Sequence, residues 1–309
     1  MISTARTLVL FLALSILAAG MPARACSVCG CGDPLVAAAE GRGRGGDLRV
    51  AVDGEYLSQK AGTEGEPGKT DVLDQYTLRL TGVYSPVAAL NLVATIPLLR
   101  KKMAMDGHDG TIVPVSDVTT LGDVELGARY FVVDLANVGA RRRQGLAVSL
   151  GTSLPTGQNG ATDAGGLRID QHGQAGTGAF GPYAGLTYRL QQDPWSLLAS
   201  ASGRAHNENS YGYRFGSALL WTVQGQWSPL SWLALGLGVD GRNAGRDRQD
   251  GVPVENTGGL VLAATPSAYL QIHRALWLDA RVQIPFYTRL VGEQSVGPTF
   301  VAGFLYEAF

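Results

Sequence analysis

The chain is poor in charge. Asp, Glu, Lys and Arg make up only 17% of its 309 residues, against about a quarter in ordinary soluble domains. Acids and bases nearly balance, giving a net charge of −1, so no basic field marks a nucleic-acid partner. Cysteine is scarce as well. The three present, Cys26, Cys29 and Cys31, fall within six residues of one another, so no disulfide framework can staple the body of the chain. Past the extreme N-terminus there is no run of ~18 apolar residues, which excludes a bundle of membrane-spanning helices. What the chain does have is glycine, 42 residues, and an apolar fraction of 45%, too high for disorder. A glycine-rich chain with little charge and no spanning helix suits a closed β-structure with one face in lipid.

The first 25 residues read as an address. Arg6 supplies a positive start, Leu8 to Gly20 an apolar core too short to span comfortably, and Ala23-Arg24-Ala25 an A-x-A cleavage site. This is the pattern of a secretory signal peptide. Its removal takes away Arg6 and Arg24 and moves the net charge from −1 to −3. Cys26 would then be the first residue, which raises a lipoprotein alternative, although Ala23 stands where a lipobox normally has leucine. Residues 26–46 are expected to form a periplasmic cysteine-containing segment, and 47–309 the folded body.

Within that body the apolar residues recur with period two. Tyr76, Leu78, Leu80, Gly82 and Tyr84 alternate with Gln75, Thr77, Arg79 and Thr81; Leu276, Leu278, Ala280, Val282, Ile284 and Phe286 alternate with Trp277, Asp279, Arg281 and Gln283. Successive strand side chains point to opposite faces, so each segment has one apolar and one polar face. The segments run ~10–14 residues, longer than most globular strands and long enough to cross a bilayer when tilted. Twelve are expected, starting near Leu48, Val72, Leu90, Gly122, Gly145, Gly178, Trp195, Tyr213, Trp232, Gly259, Leu276 and Val296. Long connections (60–71, 103–121, 156–177, 241–258) alternate with short ones (85–89, 191–194, 228–231, 273–275); the fourth, 134–144, carries Arg141, Arg142 and Arg143. Long loops on one side, short turns on the other and an even strand number predict an antiparallel up-and-down outer-membrane β-barrel of a Gram-negative cell, with both termini periplasmic. Aromatics gather toward strand ends, as girdles do, and the chain closes on an aromatic, Phe309, as the barrel-assembly machinery prefers; Glu307 departs from that signal.

Two stretches carry a family resemblance. TTLGDVELGARYFV (119–132) and AVSLGTSLPTGQNG (147–160) resemble the G-x-G-D…Y strand and the L-P-T-G strand end of the outer-membrane barrels grouped as transporters of the meta-pathway of phenol degradation. Leu121 stands where that family often has a further glycine. The resemblance implies a substrate-translocating or channel-forming outer-membrane protein, and does not imply phenol as the substrate.

With the apolar face in lipid, the polar face lines the interior. Its charged residues are Arg49, Asp53, Glu55, Arg79, Glu125, Arg129, Arg189, Arg204, Asp279 and Arg281. They either brace the lumen with salt bridges or set the selectivity of a solute path. The cysteine cluster C-x2-C-x-C suits a soft ion such as copper or zinc, held by Cys26, Cys29 and Cys31; a Cys26–Cys29 disulfide or acylation of Cys26 compete with that reading. Enzymatic readings are weak. No G-x-S-x-G elbow is present, and only His206, near Asn207 and Ser210, could join a Ser–His pair. GTGAFG (176–181) has no helix after it, so it predicts no phosphate site. The sequence therefore predicts a channel or transporter, not an enzyme, for a small solute, hydrophobic or metal-related among the options, working in outer-membrane lipid. The rival is a plugged barrel that binds metal or tethers a partner through its cysteines.

Overall fold

A computed structural model describes residues 45–62, 70–106, 112–163 and 165–308. The cysteine cluster, the signal peptide, His108 and Phe309 lie outside the described residues.

Twelve antiparallel staves close into a barrel. They are β1 (Asp47–Gly62), β2 (Thr70–Val87), β3 (Leu90–Asp106), β4 (Ile112–Leu121, resuming as Glu125–Asn137), β5 (Arg142–Ser153) and β6 (Gly181–Gln192). The second half comprises β7 (Trp195–Arg204), β8 (Ala218–Leu230), β9 (Leu233–Ala244), β10 (Gly259–His273), β11 (Leu276–Leu290) and β12 (Thr299–Ala308). Each stave pairs with its neighbours in sequence, and β1 pairs with both β2 and β12, so the sheet has no free edge at its seam. Closure gives every backbone group within the wall a partner, which a bilayer demands.

The alternation read from the sequence sorts the two faces. Along β2, Leu73, Gln75, Thr77, Arg79, Thr81, Val83 and Ser85 are buried, while Tyr76, Leu78, Leu80 and Tyr84 stand exposed on the outside. Tyr76 and Tyr84 bracket the apolar run. Eight residues cover ~27 Å along a strand, or roughly 20 Å across a membrane at a tilt of ~40°, close to the apolar band of such barrels. On the inside, Gly127 and Gly151 are cross-strand partners, and Tyr183 is the next residue in the row. A Cβ on either glycine would collide with the Tyr183 ring or hydroxyl. The two glycines thus form a slot for an aromatic side chain.

Several boundaries differ from expectation. The connection expected over 103–121 is mostly strand: β3 runs to Asp106 and the first half of β4 pairs back on it. There the outward residues are Asp117 and Thr119, both exposed, so the apolar alternation that marks the other staves is missing. Tyr213, expected to open the eighth strand, instead joins Arg214 in a small three-stranded patch with Arg248–Gln249 and Val252–Pro253, and the stave begins at Ala218. The expected starts at Gly178 and Val296 move to Gly181 and Thr299.

Candidate functional site: the lumen and its closed mouth

Five of the charged inward side chains are paired with one another. Arg79 sits between two acids, 2.9 Å from Asp53 and 2.9 Å from Glu55. Arg204 donates to Glu125, and Arg129 Nε donates to Ser149 Oγ at 3.1 Å. Arg49, also buried, lies in register between Glu307 and Val83. Asp279 and Arg281 share the face of the buried Gln283, and Arg189 that of the buried Tyr183; these three are half-buried. All ten residues singled out in the sequence therefore sit on the inward-turned face. Inward charges outside those ten include Lys101, Arg242 and Glu307, and Asp240, which accepts from Thr265 Oγ1 and, at 2.9 Å, from Gln283 Nε2.

One end of the lumen is closed by its own loops. The β5–β6 loop (154–180) crosses to β3, where Lys101 Nζ donates to the carbonyl oxygens of His172 (3.0 Å) and Gln174 (2.7 Å). On its other side, His172 Nε2 lies 3.0 Å from Asp247 Oδ2. Asp247 follows β9, six staves from β3 in a barrel of twelve, so this chain of contacts spans the mouth along a diameter. The loop after β7 completes it. Tyr213 Oη donates to Asp247 Oδ2 at 2.6 Å, and Gly216 N–H donates to Asp247 Oδ1 at 2.8 Å. A small apolar core fills in beside this lock: Leu73 from β2, Tyr213 and Phe215, and Ala244 from β9, with Met103, Ala218 and Val254 packed on them. Below it lies a cavity of about 170 Å³, lined by charged side chains, among them Arg79, Lys101, Glu125, Arg204 and Arg242, and by apolar ones, Leu99, Phe215 and Leu220.

The lock carries a fixed charge. Burial disfavours an imidazolium at His172, but the Asp170 carboxylate at Nδ1 (2.9 Å) and then Asp247 at Nε2 outweigh it and push His172 up to about 10. Burial likewise opposes the Asp247 anion, yet the hydrogen bond and charge of His172, with Tyr213 and the Gly216 N–H, hold it below the ordinary carboxylate range. Both ring nitrogens of His172 face carboxylates, which leaves neither free to act as a base.

The two stretches that carried the family resemblance meet at the root of the closing loop. Between Leu121 and Glu125 the fourth stave leaves the ladder, and Asp123 turns to the loop. Its Oδ1 accepts from Gly157 N–H (2.9 Å) and its Oδ2 from both Thr177 N–H (2.8 Å) and Thr177 Oγ1. Thr156 Oγ1 accepts from Val124 N–H at 2.8 Å. A Cβ on Gly157 would strike Gly176 and the Gly122 backbone, so glycine is needed for this approach. One carboxylate thus pins both ends of the loop to the wall. The GTGAFG segment, expected to open a strand, supplies the Gly176–Thr177 half of this junction. Of the Ser–His candidates, His206 is buried with its ring 5.7 Å from Phe215, while Ser210 is exposed.

No family model matches the sequence, and no curated protein matches it. Among solved structures the chain is similar to an outer membrane channel from Pseudomonas putida F1, with a TM-score of 0.66 at 13% identity over 87% of this chain and 98% of that one. It also aligns with the transport unit of the autotransporter AIDA-I from Escherichia coli (TM-score 0.49, 10% identity, 85% and 90% covered). The translocator domain of the autotransporter NalP from Neisseria meningitidis aligns with a TM-score of 0.45 at 13% identity, covering 86% and 90%. At such identities the likeness to the Pseudomonas channel is one of fold: this chain is a closed transmembrane β-barrel of the outer-membrane type.

Proposed function

We propose that the chain is an outer-membrane channel for a small polar solute, with both termini at the periplasmic face and passage controlled by the loops that close its other mouth. The observation that carries this reading is the set of charged and hydrogen-bonding side chains on the inner face, interrupted by an apolar patch of Ala51, Val83, Val93 and Tyr183, that leads to a cavity of about 170 Å³ beneath the closing loops. A hydrophobic solute cannot hydrogen-bond to the charged groups that face this cavity, such as Lys101, Glu125 and Arg204, and would displace the water that can; a polar solute can replace those bonds. The similar fold of the Pseudomonas channel supports the reading without identifying a solute.

Planar-bilayer recording and liposome swelling with small sugars and amino acids test it. Stepwise conductance together with swelling that falls as solute size rises is the expected result. Silent bilayers and impermeable liposomes would overturn it. In that case the rival, a plugged barrel working through Cys26, Cys29 and Cys31, predicts stoichiometric copper or zinc on the signal-cleaved protein.

A further inference from the structure

The connection between β4 and β5 is a tight hairpin whose charge the lumen does not use. Asn137 pairs with Arg142, Asn137 Oδ1 accepts from Ala140 N–H at 3.0 Å, and Arg141 takes a left-handed φ of 46° at the tip. Of its three arginines, Arg143 turns to Asp134 and is held in a two-pronged ion pair, at 2.9 and 3.0 Å. Arg142 instead faces outward and donates to a neutral amide, Gln144, at 3.3 Å. Arg141 lies 3.6 Å from Asp193, and both side chains are more than 60% exposed, a pairing worth little in water. Two guanidinium groups therefore stand on the outer surface with weak internal commitments.

Their height on the wall is fixed by register. Arg142 is level with Gln192, Gln192 with Trp195, and Trp195 with Trp227, in one unbroken row. The two indoles stack at 6.0 Å and are 61% and 42% exposed. One step toward the middle of the barrel the row becomes Leu135, Gln144, Leu190 and Leu197. Val138, at the hairpin tip, is 89% exposed and Leu135 57%. Tryptophan settles at the boundary between acyl chains and headgroups, so Arg141 and Arg142 stand at phosphate depth, with Leu135 beside the acyl carbons.

We propose that Arg141 and Arg142, with the Trp195–Trp227 pair, form a docking site for an anionic phospholipid in the leaflet at the terminal end of the barrel. This rests on the reading that the barrel spans a membrane. The guanidinium fork matches a phosphate, and the stacked indoles cover the glycerol region. With Asp134 already held by Arg143 and Asp193 mostly exposed, the two remaining cations favour a net-negative headgroup over a zwitterion, whose ammonium they repel. The surface continues the lipid boundary of the wall, which makes a lipid the occupant rather than a protein.

Electron spin resonance of chain-labelled phosphatidylglycerol and phosphatidylcholine tests this, with the full chain reconstituted in phosphatidylcholine bilayers at low salt. A heat-modifiable gel shift checks insertion and folding in every sample. The native protein is expected to prefer the anionic label. That preference falls by about fivefold for each arginine removed in Arg141→Gln and Arg142→Gln, and weakens at high salt. Equal association of the two labels with the native chain, or a double variant that keeps the native preference, overturns the site while leaving the membrane reading intact. Failure of the native chain to insert at all overturns both.

Discussion

Replacing His172 with alanine should unlatch the mouth, and the structure sets the size of the effect. His172 bridges Asp170, whose side chain is 54% exposed, and Asp247, which is fully buried. Without the imidazolium, Asp170 can be rehydrated and loses little. Asp247 cannot; it keeps Tyr213 Oη, the Gly216 N–H and its other contacts but loses the imidazolium. Removing one member of a buried ion pair costs about 3–5 kcal/mol. The surviving hydrogen bonds argue for the lower end, about 3 kcal/mol, which moves a closed-to-open equilibrium by on the order of a hundredfold. Single-channel recording in planar bilayers should show His172→Ala open far more often than the native chain. Asp170→Asn, which touches only the exposed partner, should change opening by a few-fold at most. Native-like opening in His172→Ala, or equal effects from the two variants, would refute the claim that the buried contact to Asp247 latches the loops.

Further outcomes follow from the latch, the loop root and the luminal ion triad. With His172 raised from 6.5 to about 10, its contribution to closure is complete below about pH 6.5 and fades as pH rises toward 10; native open probability should climb across that window, and that of His172→Ala should stay flat over it. Because Asp247 is depressed, the native lock should also survive acidification through the ordinary carboxylate range. Asp123→Ala removes the acceptor for Gly157 and Thr177 at the loop root; hydrogen exchange of residues 155–179 should rise by about tenfold or more, since a bond to a charged acceptor is worth about 1.5–3 kcal/mol, and unchanged protection would sink the pinning role. Arg79→Ala strands Asp53 and Glu55, with side chains only 15% and 1% exposed; a loss of about 3–5 kcal/mol should appear as a lower urea midpoint in vesicles, only partly recovered by Arg79→Lys because lysine lacks the two-pronged fork.

How much of this was legible follows from what each level of structure depends on. The barrel is a matter of local alternation: Tyr76 to Tyr84 or Leu276 to Phe286 assign their faces by parity alone, so the stave count, the connectivity and the ten inward charges all emerge from neighbouring residues. The upper half of the fourth stave stays hidden because Asp117 and Thr119 rise above the lipid, where apolar alternation no longer has a physical cause. The closing of the mouth is a matter of distant contacts. His172 and Asp247 are 75 residues apart, and nothing in the character of a loop histidine or a loop aspartate names its partner. A signal did exist at the loop root, in Gly122-Asp123 and Thr156-Gly157, since a glycine beside a hydroxyl or a carboxylate at a strand end suggests close backbone approach. By resemblance, those residues imply a kind of protein. Their geometry gives them a local task, holding the closing loop to the wall, and that task explains why a chain whose wall needs so little charge has an aspartate there.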